Sequence, residues 1–225
     1  MKYFYLLHFI TFLGCFLHLS SATPSKTAVL WITKSSEYQA VCEQVYSAAE
    51  EKVLPLAEVA NTSWAIVMDI DETVLNNAQY QVELNAKGKT HSQQAWSEWV
   101  NRKAATPIPG VEAFIAKLRK IPGGRIIFIS NRYASNTEPT RQNLSAHGLL
   151  GKDDVFLLRK ERADKKTLRR KEVFEGSKRM SQHGKLKILA WFGDASNDFP
   201  DNKDLDWGQE KFMLPNPVYG GWLDN

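Results

Sequence analysis

Two aspartates separated by a single residue close a short apolar run, Trp64-Ala-Ile-Val-Met-Asp69-Ile-Asp71, and no other feature constrains the fold as much. A run this short and this apolar reads as a strand buried on both faces, with the acids just beyond its end. Strands buried on both faces need helices above and below them, which predicts an α/β chain with a mainly parallel sheet. In open sheets of that kind ligands bind beyond the carboxyl ends of the strands. The acid pair therefore stands where chemistry is expected.

The rest of the chain keeps the same alternation. Residues 36–54 set Tyr38, Val41, Cys42, Val45, Ala49 and Val53 at helical spacing, an amphipathic helix ahead of the first strand. Pro109-Gly110 opens a helix with Val111, Phe114, Ile115 and Leu118 on one face, and Pro122-Gly123-Gly124 stops it. Arg125–Ser130, Val155–Leu158 and Leu186–Phe192 read as further strands, and Phe212–Leu214 as a fifth. Helices are expected at 138–147, ended by Gly148, and at 166–175. The expected architecture is a three-layer α/β sandwich. Residues 78–106 are too long for a turn and carry their own helical pattern in Trp96, Trp99 and Val100, so a small helical cap is expected there.

The domain organisation follows. Residues 1–22 join Lys2 to an apolar run from Tyr3 to Leu19 and small residues ending at Ala22, the pattern of an exported chain's signal segment. An N-terminal helical segment at 23–63 and the main domain at 64–225 complete it. Leu13-Gly14-Cys15 leaves open a lipoprotein cleavage box, in which case Cys15 anchors the chain to an outer membrane; otherwise it is periplasmic or secreted. The other cysteine, Cys42, sits four residues from Tyr38 and from Tyr46 and reads as a small core residue, so no internal disulfide is expected. A net charge of +4 is too mild for a nucleic-acid polymer binder and suits small anionic substrates. A homodimer is compatible with the sequence.

Three of the strands end on a polar group: Asp69, Ser130 and Asp194. A carboxylate such as Asp69 can attack phosphorus, with Asp71 as general acid and then base. Asp194 and Asp198, four apart at a helix start, join Asp69 and the Asp71 carbonyl in an oxygen-rich site suited to Mg²⁺. With five histidines and no paired cysteines, zinc is not expected. Ser130 and the backbone amides of Asn131 and Arg132 are candidate donors to phosphoryl oxygens, and a lysine would neutralise developing charge. Lys160, Lys165 and Lys166 compete for that role; the helix-start position and the Lys166-Thr-Leu-Arg169 pattern favour Lys166. The basic run from Arg159 to Lys171 is interrupted by Glu161 and Asp164 and reads as a solvated face that biases the site towards anions.

These residues resemble the haloacid dehalogenase (HAD) superfamily of phosphohydrolases. Asp69-x-Asp71-x-Thr73-Val74 matches its first motif, Ser130 the second, Lys166 the third and Gly193-Asp194-x-x-x-Asp198 the fourth. A finer resemblance is to the class C bacterial acid phosphatases. It is carried by Asp69-Ile-Asp71-Glu72-Thr73-Val74-Leu75-x-Asn77-x-x-Tyr80, Ser130-Asn131-Arg132 and the closing Pro215-Asn-Pro-Val-Tyr219-Gly-Gly-Trp222. One departure stands out: the family's Gly-Asp-Asn-Leu-x-Asp-Phe is here Gly193-Asp-Ala-Ser-Asn-Asp198-Phe199, with both acids kept. The resemblance implies Mg²⁺-dependent hydrolysis of phosphomonoesters, often 5′-nucleotides, with Trp96 and Tyr219 contacting the base. Two alternatives are a phosphotransferase using the same site and a silent HAD-like binding protein.

Overall fold

The computed structural model describes residues 25–219. The signal segment and Cys15, and the end of the chain beyond Tyr219, lie outside them. In chain order the elements are α1 (Lys26–Lys34), α2 (Ser36–Glu58), β1 (Trp64–Met68), β2 (Leu75–Asn76), α3 (Ala78–Ala86), α4 (Gln93–Arg102), β3 (Thr106–Pro107), α5 (Val111–Leu118), β4 (Gly124–Tyr133), α6 (Thr137–Ala146), β5 (Val155–Arg159), α7 (Lys166–Glu175), β6 (Lys187–Gly193) and β7 (Lys211–Met213).

Five strands form one parallel sheet in the order β5-β4-β1-β6-β7. β1 is its centre, and all five of its residues are buried, as an unbroken apolar run requires. The sheet is covered on both sides. On one face Tyr46 of α2, Phe114 of α5 and Phe192 of β6 pack ring on ring, with centroids 5.3–6.0 Å apart. On the other, Val173 of α7 joins Val67, Ile127 and Trp191. Truncating one such aromatic to alanine costs about 3–5 kcal/mol.

The N-terminal segment holds one more helix than the periodicity indicates. Ser25 caps α1, its Oγ accepting from the Ala28 N–H at 3.1 Å. The extended Ser35 then breaks the chain and caps α2 by accepting from Tyr38 N–H at 3.0 Å. The buried stripe of α2 is Tyr38, Cys42, Tyr46, Ala49, Val53 and Ala57. Val41, expected on that stripe, faces solvent, because a Tyr38–Cys42–Tyr46 row at four-residue spacing turns it outward. Cys42 is buried and free.

Between β1 and α5 the chain makes its insertion. β2 and β3 pair antiparallel, Leu75 against Pro107 and Asn76 against Thr106, and close the base from which α3 and α4 project. Ser92 caps α4 by accepting from Ala95 N–H at 3.2 Å. Among the described residues no helix is long and apolar enough to cross a membrane.

Candidate active site

Because the five strands are parallel, the segments after β1, β4, β5 and β6 emerge on the same side of the sheet. Asp69 is fixed first: its N–H donates to the Phe192 carbonyl of β6 at 3.0 Å. The chain then turns sharply, with Val74 N–H and Leu75 N–H both donating to the Ile70 carbonyl and Glu72 N–H to the Leu75 carbonyl. The turn puts Glu72 in the left-handed region at φ 55°, rare for a residue with a side chain. Its own carboxylate helps to hold it there, accepting from the Asn77 N–H at 2.8 Å and from the Tyr219 hydroxyl. Burial, with Asp71 beside it, pushes the Glu72 carboxyl up to about 8 against those hydrogen bonds. From the opposite direction the Tyr46 hydroxyl of α2 donates to the Thr73 carbonyl at 2.5 Å.

Asp69, Asp194 and Asp198 each offer a carboxylate oxygen, all within 4.8 Å of one another. Asp198 is held by the backbone: its Oδ2 accepts from Asp194 N–H at 3.1 Å and Ala195 N–H at 3.0 Å. Gly193 permits this fold-back, since a Cβ there would stand 2.3 Å from the Asp198 Cβ. Asp194 accepts from Asn216 Nδ2 at 2.7 Å and from Thr73 Oγ1 at 3.4 Å.

Lys166, the first residue of α7, places its ammonium 2.9 Å from Asp69 Oδ2 and also against Asp198 Oδ1. Lys160 and Lys165 are exposed, so geometry separates the three lysines that sequence leaves in competition. Burial works against the Lys166 charge, but Asp198, Asp69 and Asp194 outweigh it and hold the group above its ordinary range. Burial pushes the Asp69 carboxyl well up; Lys166 opposes this, while Asp198, Asp194 and Asp71 add to it. Burial and Asp198 likewise bring Asp194 up to about 7, against Lys166 and Asn216. One ammonium does not balance three carboxylates. Asp69 Oδ1 is moreover buried without a hydrogen-bond donor. An orphan oxygen among hard oxygen donors with excess negative charge fits a divalent cation.

Asp71 stands apart from that trio. Its carboxylate turns to Arg132, whose Nη2 donates to Oδ1 at 2.7 Å and whose Nε approaches Oδ1 at 3.0 Å and Oδ2 at 3.2 Å. Asn77 Nδ2 donates to Oδ1 at 3.0 Å and Ser130 Oγ to Oδ2 at 3.3 Å. Arg132, whose backbone N–H is the expected donor to phosphoryl oxygens, spends its side chain on Asp71. Its side chain is 1% exposed, and its N–H donates to Ser130 Oγ at 3.2 Å. The reason lies in β4, which runs on past Ser130 to Tyr133, so that strand alternation puts Arg132 on the same buried face as Ser130 and Asn131 on the other. Asn131, by contrast, is exposed beside the site.

Trp96, expected against the base, lies on the inner side of the insertion. It is 8% exposed, edge-on to Tyr80 with centroids 5.0 Å apart, and the Arg132 guanidinium lies over its ring at 5.9 Å. The two tryptophans of α4 are three residues apart and so share the inner face of the insertion. Trp99 there donates to Asn77 Oδ1 at 2.7 Å. Tyr219 is 44% exposed, with its hydroxyl donating to Glu72.

Two site residues escaped the sequence reading although their segments were singled out. Asn216 belongs to the closing Pro215–Trp222 stretch. Arg169 belongs to the pattern after Lys166, and is fully buried: it donates to the Ser130 and Leu157 carbonyls, to Asn131 Oδ1 at 2.8 Å and to the Asp164 carbonyl at 3.1 Å. A buried arginine that bridges carbonyls has no local signature.

Comparison with known proteins follows from this geometry. Residues 18–222 match the model of the HAD superfamily, subfamily IIIB (acid phosphatase). The crystal structure of the class C acid phosphatase from Bacillus anthracis with tungstate bound superposes with a TM-score of 0.74 at 28% identity, covering 88% of this chain and 87% of that one. A second structure of that enzyme gives 0.71 at 26% identity. The stem 31 kDa glycoprotein of Glycine max is 25% identical over 190 residues, 82% of this chain and 68% of the relative.

Proposed function

The chain belongs to the acid phosphatases of HAD superfamily subfamily IIIB, a phosphomonoester hydrolase family, and from that premise we propose that it is an exported, Mg²⁺-dependent enzyme that acts through an aspartyl-phosphate on Asp69. The observation that carries this reading is the Asp69 carboxylate itself. One oxygen is paired with Lys166 at 2.9 Å, the other is buried without a donor, and the carboxylate stands with Asp194 and Asp198 in one acidic cluster.

In the first step an Asp69 oxygen attacks phosphorus and the bond from phosphorus to the leaving oxygen breaks. Asp71, which enters this step in its acid form, gives that oxygen its proton and leaves it as the carboxylate that Arg132 holds. In the second step Asp71 takes a proton from water as the water attacks the phosphoryl group. The bond to Asp69 breaks and inorganic phosphate leaves, so both aspartates return to their starting states. Arg132, Asn77 and Ser130 fix the Asp71 carboxylate for both proton transfers. Lys166, with Ser130 and the exposed Asn131, supplies donors to the phosphoryl oxygens. Mg²⁺ held by Asp69, Asp194, Asp198 and the Asp71 carbonyl would neutralise the repulsion between an anionic nucleophile and an anionic substrate. The tungstate of the Bacillus anthracis relative, a tetrahedral oxyanion like phosphate, is in keeping with this.

The substrates are small phosphomonoesters, 5′-nucleotides among them, with the exposed Tyr219 ring against the base. Helices α3 and α4 form the cap of a domain spanning 64–225, and the first 22 residues direct export.

The test is phosphate release from a nucleotide panel at several pH values, with Mg²⁺ or with chelator, by the protein and by Asp69→Asn. Metal-dependent release is expected in the first and a loss of at least about 1,000-fold in the second. Equal activity of the two would overturn the mechanism.

A further inference from the structure

The loop between β5 and α7 is unused by the chemistry above, although it leads straight into it. Residues 160–165 leave the carboxyl end of β5, on the side of the sheet where Asp69, Ser130 and Asp194 gather, and end beside Lys166, whose ammonium touches Asp69. Arg169 ties this loop to the site rim, one Nη2 donating both to the Asp164 carbonyl at 3.1 Å and to Asn131 Oδ1 at 2.8 Å.

The loop is built rather than slack. Lys160 N–H donates to Asp164 Oδ2 at 3.0 Å, Asp164 N–H to the Glu161 carbonyl at 3.0 Å and Lys165 N–H to the Ala163 carbonyl at 2.9 Å. Arg179 clamps the Asp164 carboxylate from outside, at 3.0 and 3.1 Å. Arg179 and Arg169, the latter at 3.6 Å, between them take up the Asp164 carboxylate, which forms no ion pair with Lys160, Arg162 or Lys165. Lys160, Arg162 and Lys165 are exposed, and none of them is in an ion pair among the described residues. Arg159 at the loop's root keeps its Nε buried without a partner. Glu161 is the one exposed acid on the loop.

An ordinary basic face is solvated, scattered and remote from a site. This one is ordered by its own hydrogen bonds and runs directly into Lys166 on the active side of the sheet, where a positive field concentrates anions. We propose that the β5–α7 loop is a second anion subsite, and that Lys160, Arg162 and Lys165 select phosphomonoesters whose leaving group carries a further phosphate or carboxylate. The subsite rests on Asp69 being the reaction centre. It adds substrate choice to that reading and no chemical step.

The experiment compares kcat/KM for two matched pairs: a nucleoside 5′-monophosphate with its 3′,5′-bisphosphate, and a hexose 6-phosphate with its 1,6-bisphosphate. At low ionic strength the bisphosphate is expected to be favoured by about threefold to tenfold, given the modest worth of exposed charge pairs. The preference should fall towards one as salt rises to about 0.5 M. It should also vanish in the triple variant Lys160→Ser, Arg162→Ser, Lys165→Ser. A charge-matched control, Lys120→Ser, Lys185→Ser, Lys187→Ser, lies near the opposite ends of β4 and β6 and should keep the preference. A ratio of one in the unaltered protein, or equal loss in both triple variants, overturns the subsite alone. Failure to hydrolyse any of the four substrates overturns both the subsite and the Asp69 mechanism.

Discussion

Arg132 grips Asp71 side-on, with Nη2 2.7 Å and Nε 3.0 Å from the same carboxylate oxygen, across 61 residues of chain. Both groups are buried, so the pair holds together only as a pair. Arg132→Met leaves the carboxylate without its cation and is expected to cost about 3–5 kcal/mol of stability, read by denaturant unfolding. Arg132→Lys keeps the charge and loses the fork. It is expected to fold, with kcat down about tenfold or more and KM within about twofold, if the arginine serves to aim Asp71. A KM effect alone would instead mark Arg132 as a substrate contact.

Asn216 is the outer support of Asp194, donating Nδ2 at 2.7 Å. Second-layer partners of metal ligands are worth about 10–100-fold in metal affinity. Asn216→Ala should therefore raise the Mg²⁺ concentration needed for half-maximal activity by about that factor, with the activity at saturating metal largely restored. A variant no hungrier for Mg²⁺ than the parent would remove Asp194 from the metal site.

Gly193→Ala tests the fold-back of Asp198. The added Cβ would overlap the Asp198 Cβ at 2.3 Å, and the backbone amides that hold Asp198 would have to move with it. The expected result is a stability loss of about 1–3 kcal/mol together with loss of metal-dependent activity. Calorimetry and a Mg²⁺ titration would read the two effects separately.

Arg179 predicts a pH dependence of stability. Burial pushes the Asp164 and Glu172 carboxyls up, but hydrogen bonds from Arg179 outweigh it and hold both below the ordinary carboxylate range. A depressed folded value contributes stability that is complete above the unfolded carboxylate pKa of about 4 and is lost as pH falls through the folded values. The protein should thus keep this contribution at mildly acidic pH and lose it only below about pH 4. Arg179→Met should destabilise most at neutral pH, and the gap to the parent should narrow as the carboxylates protonate. Urea unfolding at pH 7, 5 and 3 checks it; a gap that widens with acid would refute the assignment.

How far the sequence reaches can be seen at particular residues. The sheet was legible because β1, β5 and β6 are apolar runs with no polar face to disguise them, and Asp69 and Asp194 stand where those runs stop. Lys166 was legible as a helix start. The role of the Arg132 side chain was not, because it depends on β4 continuing past Ser130 to Tyr133, where a strand ending at Ser130 is expected. Arg169 was hidden in a basic run, since what buries it are carbonyls of Ser130 and Leu157, far along the chain. Helix α1 was missed because it buries only Val29 and Ile32, too few for a periodic stripe.

The position of β1 at the middle of the sheet has a consequence for how such a protein comes into being. The strand that leads to Asp69 is made early, yet its neighbour β6 and the acids behind it, with Asn216 and Tyr219, are made more than 100 residues later. A growing chain therefore carries Asp69 and Asp71 long before it carries the Asp194–Asp198 pair. No fragment that stops short of Asp198 has the full acidic trio. Hydrolytic competence therefore waits for β6 and the acids beyond it, and every shorter piece of the chain is harmless to the phosphate esters around it.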